Sequence, residues 1–475
     1  GKAGDIFISS GNLFLKDAGL VGSRSYSVGD TGSIDVKVAE LIEIDGFSDL
    51  IQDSASSIYV SIFGNGDAKD INISVQNMNI FNGAFVTSGN LSISQGGDIQ
   101  INVSDTLTMS GVIVTDRSFI NSLALRAGNS GNVTINTSKL EMLDFAGIGT
   151  SAWAEGSAGK LTINASESIK LSGNSAIDSS AEIVDEIFRL TLGLPDFPSG
   201  DSGSIVINTP SLTIADGGVV SVVNEGLGDS GDIEINTDQI FLDTEGKIDA
   251  FSASGEGGSI ELNIQNSLIL RNNSFINTEG LGKGNGGNIT INSPVIAGFE
   301  NSDIIANAVE GMGGNINITT SGIFGLEFRD QLTDESDITA SSQFGVNGTV
   351  EINNLSIDPS SGIVSLPAEL KDSSQQIASG CSNNNGSSFV ATGKGGIPQN
   401  PNQQVDLNPN WSDVRDLSAF RKQNNNVENA LLSNQSAIVE ATGFMRNANG
   451  EISLVALSPK RGTIKQFMTC SGTNT

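Results

Sequence analysis

The side chains able to do chemistry in this chain are almost all carboxylates. Asp and Glu number 54 against 24 Lys and Arg, histidine is absent, and cysteine occurs twice, giving a formal charge of -30 at pH 7. Without histidine there is no imidazole general base, no Ser-His-Asp triad and no His-ligated zinc site. So acidic a chain has too few cations to replace the counterions of nucleic-acid phosphates, and neither nucleic acid nor an anionic membrane surface is expected as a partner. What remains is carboxylate chemistry. Asp232, Glu234, Glu261 and Glu351 sit at outward positions, and Glu234 and Glu261 would lie within about 5 Å of each other on neighbouring strands. Two such carboxylates are the minimum for glycoside hydrolysis. The acids fall irregularly, however, with Thr162 and Thr290 in equivalent places, and solvated charge that discourages edge-to-edge association accounts for them better. Residues 226–232 read Gly-Leu-Gly-Asp-Ser-Gly-Asp, and Asp67 and Asp70 bracket a similar turn. Oxygen-rich turns can hold calcium, but the nine-residue periodicity of calcium-binding β-rolls is missing, so no catalytic residue, metal or cofactor is assigned.

A repeat must position those acids. Near copies of Gly231-Asp232-Ile233-Glu234-Ile235-Asn236 begin at twelve places from Gly4 to Gly348, and Lys69 is the one anchor that is not glycine. Two and four residues after each anchor stands an aliphatic side chain, as at Ile6 and Ile8 or Ile289 and Ile291; the residue between is polar except at Phe7 and Val206. Most anchors are 27 to 29 residues apart. A second alternating run follows, as in Ile240-Phe241-Leu242, and then a third apolar site, as at Ile177, Ile248, Ile276 and Ile338. This pattern predicts an all-β chain: a right-handed parallel β-helix with three short strands per rung and about 28 residues per rung. Each inward aliphatic contributes roughly 1.5 to 3 kcal/mol, but only once neighbouring rungs close over it. Asparagine ends the strand in eight copies, from Asn102 to Asn353, where stacked amides would form a hydrogen-bonded ladder. Eleven steps of about 4.8 Å predict a rod of about 50 Å.

Residues 1–356 are read as about twelve rungs, with loop insertions near 45–66, 112–130, 178–202 and 325–347. The largest insertion carries Ile183, Ile187 and Leu190 at helical spacing, with Phe188, Leu192, Leu194 and Phe197 adding apolar bulk. It reads as a short helix and loop covering one flank. Phe188, Leu192, Leu194 and Phe197, with Tyr59 and Phe63 of the first insertion, are the candidate partner contacts, because insertions on solenoids carry binding. Residues 357–475 are rich in Pro, Asn and Gly and read as a C-terminal cap, with a short helix at 411–422 and a β-hairpin turning at Asn447-Ala448-Asn449-Gly450. Cys381 and Cys470 both fall there. A disulfide between them is expected, which implies an oxidising compartment; two free buried thiols are the alternative. The chain enters a repeat copy at Gly4, so further rungs or a cap are expected before it.

The copies at 28-residue spacing resemble those of filamentous haemagglutinin-like exoproteins, the secreted partners of two-partner secretion systems. Ser373-Ser374-Gln375-Gln376-Ile377-Ala378-Ser379-Gly380-Cys381, then Phe389 to Pro398 and Ile438 to Gly443, resemble the C-terminal segment of the cyanobacterial type. The resemblance implies an extracellular or outer-membrane-surface location, export through an outer-membrane two-partner-secretion transporter, and a non-enzymatic, adhesin-like stalk. Attachment, aggregation or biofilm formation would follow from contact with a host-cell, cell-surface or polysaccharide receptor. No catalytic residue comes with it, and the N-terminal secretion domain is expected upstream. The alternative is a polysaccharide-acting β-helix lyase or hydrolase using the outward carboxylates.

Overall fold

The computed structural model describes residues 1–46, 55–111 and 117–354, and the backbone of 443–446 and 452–455. Cys381, Cys470, the expected helix at 411–422 and the tail motifs lie outside the described residues, as do parts of the first two insertions. Two compact units are present, Gly1–Leu370 and Lys371–Thr475. In the second, Gly443–Arg446 runs antiparallel to Ile452–Val455, with Gly443 opposite Val455.

The first unit is all-β, with one short helix among the described residues. Its strands form two parallel sheets, of 16 and 12 strands. In the larger sheet every repeat copy pairs in register with the next. Ile205 and Ile207 oppose Ile233 and Ile235, which oppose Ile260 and Leu262, which oppose Ile289 and Ile291. All of these side chains are shut off from solvent and belong to one core cluster that runs from Leu15 to Ala340. Stacking like residues on like thus converts a weak single-copy pattern into a continuous core.

The glycine anchors have a steric cause. A Cβ on Gly231 would drive into the carbonyl oxygen of Gly203, one on Gly258 into that of Gly231, and one on Gly287 into that of Gly258. At these glycines each copy passes so close to the one before that no side chain fits between them; Lys69 is the anchor where one is accommodated.

The expectation of three separate strands per copy is corrected in part. In several copies the first and second runs form one bent strand, such as Ile233–Leu242 or Ile260–Leu270, within a single sheet. The third run, for example Lys247–Asp249, makes the other sheet. The insertions are also narrower than their sequence ranges, since strands Ser57–Ile62, Phe119–Ala124 and Ala176–Ala181 of the second sheet fall within or overlap them.

Polar side chains close the corners from copy to copy. The Asn136 amide donates to Asn102 at 2.8 Å, and the relay continues through Asn164, Asn208, Asn236 and Asn263 to Asn292, with distances of 2.8 to 3.1 Å. At another corner an acid or amide accepts the backbone N–H of the next copy. Asp70 takes that of Asp98, Asp98 that of Asn132, and Asp232 that of Ser259, at 2.7 to 3.0 Å. Such bonds satisfy backbone groups that a turn would otherwise leave unpaired.

Candidate functional site

Sheet geometry decides which side chains reach the outside. In the second sheet Ile120, Ile148 and Ile177 oppose one another and point into the core, so the residues on either side of each point outward. The outward rows run Phe85, Phe119, Gly147, Ala176 and Thr87, Asn121, Gly149, Asp178. Phe85 and Phe119 stack face to face with ring centroids 4.8 Å apart. Beside them Gly147 and Gly149 have no side chains, which leaves a trench about 10 Å wide between the strand of Phe119 and that of Asp178. Arg117 and Asp178 lean into it: a Cβ on Gly147 would lie 3.2 Å from the Arg117 Nη2, and one on Gly149 3.0 Å from the Asp178 Oδ1.

The largest insertion roofs this trench. Helix α1, Glu186–Leu192, is capped at its start by Asp185, whose carboxylate accepts the Ile187 N–H at 2.8 Å, and at its end by Gly193 in the left-handed conformation. Arg126 donates to the Leu192 carbonyl at 2.9 Å, Arg189 pairs with Asp196, and Glu225 accepts the Ile183 N–H at 2.7 Å. The Arg126 and Glu225 contacts tie the insertion to the wall, and the Arg189–Asp196 pair braces it internally. Phe188 and Leu192, one turn apart, line a cavity of about 540 Å³ whose other walls include Phe85, Phe119, Leu123, Leu125 and Trp153. Arg117, Asn121, Asp178 and Glu182 supply its polar surface.

The polar groups of the cavity are poorly partnered. Asn121 Oδ1 is buried without a hydrogen bond among the described residues. The buried Trp153 indole N–H faces the Glu182 carboxyl but closes no bond of normal geometry on it or on any other described group. Burial pushes Asp178 up to about 6, opposed only by the charge of Arg117. Glu182 is pushed up to about 8, first by burial and then by the charges of Asp178 and Glu225, with Arg117 and Trp153 pulling the other way. Shielding from water is the dominant cause for both.

Of the candidate contacts, Phe188 and Leu192 meet in the cavity. Leu194 is buried at the end of the helix, and Phe197 is exposed. Ile187 and Leu190, read as one apolar stripe with Ile183, are 76% and 69% exposed; Phe188 lines the cavity but is itself 61% exposed, and Leu192 is the half-buried residue on the covering side. Tyr59 and Phe63 sit elsewhere: Arg24 lies over the Tyr59 ring at 4.5 Å, and Phe63 stacks on Tyr26 at 4.8 Å. Residue patterns alone passed over Phe85, Phe119, Trp153, Asp178 and Glu182. Aromatic residues at outward positions of neighbouring strands, next to Gly147-Ile148-Gly149, were the available signal.

On the larger sheet Glu234 and Glu261 are direct register partners. Each is exposed and accepts an amide of the Asn ladder, Asn236 at 2.8 Å and Asn263 at 3.0 Å. The groove of about 760 Å³ along that ladder is lined by amides already bonded to one another. In the 226–232 turn, Asp229 accepts the Glu256 N–H at 2.9 Å. Among the described residues no group of three or more His, Cys, Asp or Glu could hold a metal ion, and no helix is long and apolar enough to cross a membrane. Comparison with protein-family models, curated proteins and solved structures gave no match.

Proposed function

We propose that this chain is a right-handed parallel β-helix that works as an adhesin-like stalk of the two-partner-secreted kind, carried to the cell surface or beyond and used for attachment rather than catalysis. The observation that supports it best is the contrast between a wall closed by repeated side-chain ladders and one roofed cavity left with unpartnered polar groups. Twelve stacked copies supply stiffness and length, and the insertion supplies a place to bind. Repetition along such a stalk, or clustering of stalks at a surface, turns weak single contacts into firm attachment.

The competing reading is hydrolysis or elimination on a polysaccharide by Glu234 and Glu261. Their register places them at a separation suited to a retaining glycosidase. Both are solvent-exposed and tied to Asn amides, and no enclosed cleft brackets them, which favours a solvated-charge role. The test uses the full chain immobilised on beads. Cell or matrix retention above that of beads carrying the Phe188→Asp/Leu192→Asp chain is expected, with no shortening of any polysaccharide offered. Depolymerisation that disappears in Glu234→Gln would replace attachment with catalysis.

A further inference from the structure

The cavity beneath α1 has a chemical bias that the attachment reading does not specify. Its walls are apolar and aromatic, and its polar lining sets two carboxyls and an unpartnered amide oxygen against one guanidinium and the Trp153 indole N–H, which already faces Glu182. Asp178 and Glu182 receive no hydrogen bond of normal geometry among the described residues, and the Asn121 carbonyl oxygen is buried and unpartnered. Against two carboxyls stands the single guanidinium of Arg117, and Glu225 behind them already holds the Ile183 N–H. The missing component is a donor with positive charge. An anion would meet two carboxyls against one guanidinium, and a neutral apolar group would leave the acceptors dry.

We infer that the cavity receives the side chain of a lysine presented by a partner polypeptide, its ammonium among Asp178, Glu182 and Asn121 and its methylene stem along Phe119, Trp153, Phe188 and Leu192. A lysine suits the site in three ways. Three N–H donors match three acceptors; the long stem buries against apolar walls while the head stays polar; and the indole and phenyl faces attract a cation. Arginine fits less well, because a planar fork wider than an ammonium would have to share the trench with the Arg117 guanidinium. This assignment rests on the attachment reading for its biological use, but not for its measurement.

Binding should carry a proton signature. An arriving ammonium favours the ionised carboxyls, so Asp178 and Glu182 lose protons as it docks; Arg117 and Glu225 are the other charged groups that face them. Affinity therefore rises as pH increases from 6 to 8, the window given by the two raised carboxyls.

The experiment is calorimetric titration of the full chain with Nα-acetyl-lysine methylamide and with its norleucine counterpart, which has the same stem length without the amine. Saturable binding of the lysine compound is expected, with proton release at pH 7 and at least about tenfold weaker binding of the norleucine compound. Asp178→Asn/Glu182→Gln should weaken the lysine compound by about tenfold or more. Leu123→Lys, which plants an ammonium inside the cavity, should abolish its binding while the chain still melts cooperatively. Equal binding of both compounds, binding of neither, or lysine binding untouched by the double substitution would overturn the assignment, and cadaverine binding far more tightly than the lysine compound would replace a polypeptide partner with a free diamine. Retention of cells by beads without lysine binding removes this proposal alone. Lysine binding without retention removes the attachment reading alone.

Discussion

Among the stretches where the second sheet shelters carboxylates, two treat them in opposite ways, one holding a fully buried Asp337 and the other a half-buried Asp178 and Glu182. Near one end Asp337 is fully buried and fully answered: Arg329 pairs with it, and Thr333 donates both its backbone N–H, at 2.5 Å, and its hydroxyl, at 2.9 Å. Asp303 also accepts the Asp337 N–H at 2.8 Å. Beneath α1, Asp178 and Glu182 have shelter from water but no comparable donors. The same scaffold thus holds one acid whose demands are met from within and two whose demands are not. Unmet polar groups cost stability, and a fold this repetitive could close them as it closes its corners. Their open state is the observation on which the proposed binding site rests.

The sharpest way to break this comparison is to remove the satisfied acid. Asp337→Ala strands Arg329 and Thr333 and should cost about 2 to 4 kcal/mol in urea unfolding; a loss below about 0.5 kcal/mol would put Asp337 in the same class as the cavity acids. Glu182→Gln should do the reverse. A carboxyl raised from 4.5 to about 8 contributes stability that is present at low pH and lost as pH rises through the folded-state value. The amide should therefore stabilise the fold by about 1 to 2 kcal/mol at pH 8.5, and the gain should fade toward pH 5. A gain that does not change with pH would mean that Glu182 is not held protonated. The smallest effects compare two asparagines. Asn236→Ala cuts ladder bonds to both neighbours and should cost about 1 to 2 kcal/mol. Asn121→Ala loses only a long bond to Ser151 at 3.2 Å and frees an unpaired oxygen, so its cost should stay under about 0.5 kcal/mol.

The fold was legible because its strongest signals are local and repeated. A glycine with aliphatics two and four residues later fixes strand and facing at once, and twelve copies average out exceptions such as Phe7 and Val206. The Asn ladder could be read for the same reason, since equal spacing puts equal side chains side by side. The merging of first and second runs into one bent strand was not legible, because hydrogen bonding across a corner depends on backbone angles that the side-chain pattern leaves open. The cavity was legible only from its roof. Phe188 and Leu192 announced a covering helix, whereas the floor draws residues from strands that lie 28 to 34 positions apart, each bland in its own copy. Asp178 reads as an ordinary outward polar residue until the neighbouring strand is found to offer Gly149 beside it.

The central claim, that successive copies stack in register on one core, can be measured as a ruler. Spin labels at outward positions 134 and 290, and at 134 and 351, in a chain with Cys381 and Cys470 changed to serine, span five and seven register steps. Pulsed dipolar spectroscopy should give narrow distributions near about 24 Å and about 34 Å, separated by two strand spacings. Broad distributions, or distances that do not grow by about 4.8 Å for each added copy, would contradict the stacked core and with it the stalk and the cavity on its wall.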